Sequence, residues 1–185
     1  MDDAQCTASR LAIASFGAWR EKDGVIYFKV TSNGRTGEKW ITYLESRGIK
    51  LDKWAKDVLR SPDFKPTNGI TTDIAVLKSP RFTDKARITS LIRSEADKLK
   101  FSKPNAEVAC LIRVMFTDEE IKAMGLMWIV TMHEPIEDSA RDPNLLGVSR
   151  CGVGRWLRGC YGGPGRKWRR WNGFAFVVPQ ASPYR

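Results

Sequence analysis

The feature that most constrains this chain is its last 45 residues, 141–185, where arginine, glycine and aromatic residues crowd together and acids almost vanish. Apolar fixtures recur there: Leu145-Leu146, Gly154-Arg155-Trp156-Leu157, Tyr161, Pro164, Trp168 and Gly173-Phe174-Ala175-Phe176-Val177-Val178. The residues between them are small or basic and follow no helical period, so the tail is expected to form strands over 145–149, 155–161 and 174–178, joined by glycine-rich loops. The stretch holds nine Lys/Arg against the single acid Asp142, a net +8, whereas the rest of the chain holds twenty-two against twenty. Net charge governs what a surface attracts rather than how a core packs, so tail and body are expected to work by different physics.

Upstream of the tail, helix and strand signals alternate. Residues 1–23 lack a period and read as a loosely ordered arm; 24–136 read as an α/β body; 137–185 read as a β-rich display region packed on it. Within the body, 24–30 and 70–77 suit strands, and 126–132 is apolar enough for a central strand buried on both faces. Thr36 caps a helix carrying Trp40, Ile41 and Leu44, and Asp52 opens another with Trp54, Ala55, Val58 and Leu59 inward. Thr83-Asp84 marks the start of a helix with Ile88, Leu91, Ile92, Ala96 and Leu99 on one face, and Pro104 precedes another with Val108, Leu111, Ile112 and Met115. Thr117-Asp118-Glu119-Glu120 fits a capping box. The order predicts an α+β fold of mixed helices and strands with a β-rich C-terminal portion.

Little in the chain supports catalysis. His133 is the single histidine, and a strand-end histidine bonded to its neighbours is the favoured reading over a catalyst. Four cysteines, Cys6, Cys110, Cys151 and Cys160, contain no C-x-x-C pair, so no metal site is assigned, and a Cys151–Cys160 bridge is left open. The acids Glu134, Glu137, Asp138 and Asp142 read as a solvated loop. No P-loop or dinucleotide fingerprint is present, and neither a cofactor nor a catalytic residue is assigned. The acidic start Met1-Asp2-Asp3 is wrong for a signal peptide and no run reaches membrane-spanning length, so a cytoplasmic product without membrane insertion is expected. Trp156 and 174–178 are expected to be core. The pattern Trp168-Arg169-Arg170-Trp171 leaves open a second function, nucleic-acid binding through phosphate neutralisation and base stacking.

The tail fixtures together resemble the variable C-termini of target proteins diversified by diversity-generating retroelements. The body, through Lys65-Pro66, 102–109, Gly125-Leu126-Met127-Trp128 and 132–136, is similar to uncharacterised bacterial proteins with such tails. The resemblance implies a C-type-lectin-like scaffold, no enzymatic activity and a rewritten surface recognising an unknown ligand, expected to be a protein. The positions it assigns to ligand contact are Gly147, Ser149, Cys151, Val153, Arg158, Gly159, Cys160, Gly162, Gly163, Gly165, Arg166, Arg170 and Asn172. Gly152 belongs to the same set of types. Nearly all are types reachable from an asparagine codon by changing its adenines. Their side chains are expected to project into solvent from a fixed frame.

Overall fold

The computed structural model describes residues 18–150 and 152–180. Nine strands join in one mixed sheet: β1 (Arg20–Lys22), β2 (Val25–Asn33), β3 (Lys50–Leu51), β4 (Asn68–Lys78), β5 (Trp128–Thr131), β6 (Ile136–Glu137), β7 (Pro143–Ser149), β8 (Trp156–Tyr161) and β9 (Asn172–Val177). Their order is β1-β2-β4-β9-β5-β7-β8-β3, with β6 pairing with β7. The pairings β5 with β9 and β3 with β8 are parallel; the others are antiparallel. With five helices among the described residues, the fold is α+β.

Alternation along the strands divides the core into two layers. On one face Ile26, Phe28, Ile74, Val76, Ile129, Leu146, Val148, Leu157 and Ala175 meet helices α1 (Gly37–Ser46), α2 (Lys53–Arg60), α4 (Val108–Met115) and α5 (Asp118–Ala123). On the other, Val25, Ala75, Leu77, Val130, Leu145, Phe174 and Phe176 meet Ile92 and Ala96 of α3 (Thr89–Lys98) and the indole of Trp168. The caps match the sequence signals. Thr36 accepts from Lys39 N, Asp52 from Ala55 N, and Thr117 with Glu120 closes the capping box.

The structure corrects several expectations. The division at 136 has no counterpart, because β9 of the tail enters between β4 and β5 of the body and completes a continuous sheet. That insertion needs Gly173, where an added Cβ would lie 2.6 Å from Val76 Cγ1 and 2.8 Å from Leu126 Cδ1. The expected arm is a strand where it is described: Trp19 is buried and β1 pairs with β2, while 1–17 lie outside the described residues. Helix α3 begins at Thr89 rather than Thr83, since Ile88 is held extended in a bridge to Lys167. Leu91 and Leu99 are accordingly exposed. Trp54 is also exposed, because α2 turns Ala55, Val58 and Leu59 to the sheet.

Candidate functional site

The tail positions expected to meet a ligand divide into three groups when the register is followed. Gly147 lies opposite Arg158, Ser149 opposite Trp156, and Leu145 opposite Cys160 on β7 and β8. Trp128 faces both Ser149 on β7 and Asn172 on β9. Period-2 alternation therefore puts Gly147, Ser149, Arg158, Cys160 and Asn172 on the α3 side of the sheet with Trp128. Their strand neighbours Leu146, Val148 and Leu157 point the other way, into the main core.

On this side the sheet and the loop 162–171 enclose a concavity of about 710 Å3, lined among others by Trp128, Cys160, Arg166, Trp171 and Asn172. The loop is fixed by α3. Arg166 O accepts from Thr89 N at 3.1 Å and Pro164 O from Ser90 N at 3.0 Å, satisfying two donors that a helix start otherwise leaves open. Trp168 N donates to Arg87 O, and its indole Nε1 donates to Thr89 Oγ1 at 3.0 Å. The ring packs edge-on against Phe174, with centroids 5.8 Å apart. Trp168 is thus the plug that sets the loop's height above the sheet.

The second group is exposed. Val153 is 86% exposed in the β7–β8 loop, whose carbonyl receives Lys50 Nζ at 3.0 Å. Gly165 has open space where a Cβ would stand, and Arg166 and Arg170 are exposed.

The third group corrects the expectation that all these side chains face solvent. Gly159 is covered by α2: an added Cβ would lie 2.5 Å from Trp54 Cβ and 2.8 Å from its carbonyl carbon. Its N–H donates to Asp52 Oδ1 at 3.0 Å, the same oxygen that caps α2, so Gly159 belongs to the frame. Gly162 is buried with its N–H on Pro143 O, and a Cβ there would meet Leu145 Cγ at 2.5 Å. Gly163 is buried too, but the atoms a Cβ there would meet first are the ring of Tyr161, the far end of an exposed side chain. Ser149 and Asn172 face the concavity side yet are 0% and 5% exposed, and Gly147 is buried with its Cβ position 3.2 Å from the ring of Trp128. Cys151 lies outside the described residues.

Trp156 is half-buried rather than core. Arg158 sits over its ring at 4.0 Å and Lys50 at 5.4 Å, because β8 lies next to the short edge strand β3. Two tail arginines hold the frame together. Arg155 Nη2 donates to Arg113 O and Phe116 O at the end of α4, and Arg150 Nε donates to Leu126 O. Five further cations, Arg158, Arg166, Lys167, Arg169 and Arg170, have no ion-pair partner among the described residues. The Cys160 thiol is free, donates to Leu145 O at 3.3 Å, and is pushed by burial up to about 12, which keeps it a neutral packing group.

The other chemical candidates are engaged in the frame. His133 is buried, with Nδ1 on Glu134 O at 2.6 Å and Nε2 accepting from Leu146 N at 2.9 Å, and burial lowers it to about 4. Asp138 accepts from the backbone of Ala140 and Asp142 and from Asn144 Nδ2, closing the acidic loop as a turn. Among the described residues no cluster of three metal-ligating side chains occurs, and no helix is long and apolar enough to cross a membrane. Reasoning from sequence missed Trp128 as a site residue, the one indole in a mostly aliphatic strand, and read Arg169 and Trp171 only toward nucleic acid. No protein-family model matches the chain, and neither a curated protein nor a solved structure is significantly similar to it.

Proposed function

We propose that this protein is a non-enzymatic ligand-binding protein that displays a retroelement-diversified C-terminal surface to a protein ligand. The observation that carries the reading is the alternation within β7 and β8. Gly147, Ser149, Arg158 and Cys160, of codon-accessible types, share one side with the concavity, while Leu146, Val148 and Leu157 between them are core. On that side Arg158 and the exposed Arg166 can change while the core holds the fold, whereas Gly147, Ser149 and Cys160 accept only what the packing there admits. The loop 162–171, pinned by α3 and Trp168, supplies a rigid rim for contacts, which lowers the ordering cost of binding. The C-type-lectin-like character implied by the tail belongs to the same reading; what supports it is a strand-built frame with loops held over it. The test is the coding neighbourhood. A reverse transcriptase gene and a near-copy of the tail's coding sequence, differing mainly at adenines in the codons of the surface group, are expected, and a neighbourhood with neither overturns the reading.

A further inference from the structure

The concavity beside Trp128 has a chemical bias of its own. Two guanidiniums of its lining lie over indoles of its lining, Arg166 at 5.5 Å from the centroid of Trp168 and Arg169 at 5.7 Å from Trp171, and a third, Arg158, lies beside it, 4.0 Å from the centroid of Trp156 and 6.0 Å from that of the lining Trp128. Stacking on a ring holds a guanidinium flat and leaves its N–H edge pointing outward, the geometry that takes a carboxylate two-handed. Among the described residues no acidic residue lines the concavity and none of these arginines has an ion-pair partner. Buried polar atoms next to it also lack partners. Arg158 Nε and Trp156 Nε1 are donors without acceptors, and Asn172 Oδ1, on a residue 5% exposed, is an acceptor without a donor. Buried groups left in that state are costly.

We propose that this concavity takes an Asp/Glu-rich segment of the partner protein, resting on the display reading above and naming the chemistry of that same site. Carboxylates meet Arg158, Arg166 and Arg169. A peptide supplies acceptors and donors together. Nucleic acid fits less well, because the indole faces on which bases stack already carry guanidiniums, and the cations ring one concavity of about 710 Å3 instead of tracking a groove. Arg158 and Arg166 are among the changeable positions, so the acid preference belongs to this chain and would not extend to one with other residues there.

The test uses the full chain and three labelled probes: a peptide of alternating Glu and Ser, its Gln counterpart, and an oligothymidylate of equal charge. The Glu peptide is expected to bind at least about tenfold more tightly than the other two. Arg158→Gln and Arg166→Gln are each expected to weaken it by about tenfold, Arg158→Lys severalfold, and Lys122→Gln on α5, which packs on the opposite face of the sheet, not at all. Melting curves confirm that each variant is folded. Equal binding of the Gln peptide, tighter binding of the oligothymidylate, or an equal loss in Lys122→Gln would each overturn the assignment. Those failures leave the coding-neighbourhood test of diversification untouched, so the two proposals fail separately.

Discussion

At the scale of single residues, His133 shows how a chemically suggestive side chain is absorbed by the frame. Its Nε2 must stay unprotonated to accept from Leu146 N, and Arg93 donates to the carbonyls of Met132 and His133 beside it. The folded protein therefore favours the neutral ring, lowered to about 4, while the unfolded chain titrates near the ordinary value of about 6.5. Stability from this group is complete above about pH 6.5 and is lost as pH falls towards 4, by about 3 kcal/mol over the window. Denaturant midpoints measured across that range should fall, and His133→Gln should flatten the slope while lowering stability at pH 7. Glycines divide as sharply. Gly159→Ser is expected to cost about 3 kcal/mol because α2 backbone occupies the space, whereas Gly165→Ser should stay within about 0.5 kcal/mol. Equal chemical denaturation of both variants would show that the frame and surface have been confused. Trp156→Ala and Phe176→Ala are also separated by burial: the second should cost about 3–5 kcal/mol and the half-buried first clearly less.

Among elements, most of what is local was legible in the sequence. Thr36, Asp52 and the Thr117–Glu120 box start helices because cap geometry is decided within four residues, and period-2 apolar runs mark β7, β8 and β9. What failed was non-local. The start of α3 is set by Lys167, Arg166 and Pro164, far along the chain, and the exclusion of Gly159 and Gly162 from the surface is set by α2 and by Leu145. No pattern within a strand reveals which helix lies across it. The site was legible only in part: once β7 and β8 are strands, Gly147 shares a side with Ser149 and Arg158 with Cys160, but bringing the two pairs together needs the register and the depth of each needs the packing. A combined swap follows from that depth. Replacing Arg158, Gly163, Gly165 and Arg166 together with Asn, Ser or Asp should keep one cooperative thermal transition within about 3 °C of the parent while abolishing binding of the Glu peptide. Loss of the transition would place these positions in the core.

For the whole molecule, the pairing of β9 with both β4 and β5 makes the tail a structural partner of the body rather than an appendage. The chain ended before residue 172 is expected to lose cooperative unfolding and to bind a hydrophobic dye, since β4 and β5 would each expose an unpaired edge above an open core. A cooperative transition in that fragment would instead support an autonomous body over 24–136.

Order of synthesis gives this placement a further meaning. The last described strand to emerge from the ribosome is the one that joins the two halves of the sheet, so every nascent chain waits with β4 and β5 unjoined until its tail arrives. A tail that cannot seat β9 leaves the entire polypeptide open to proteases. Under the proposed diversification, quality control of the cell would act as an editor of tail sequences, discarding whole molecules whose altered ends do not fold. Stalled nascent chains should stay protease-sensitive until residues 172–177 have cleared the exit tunnel.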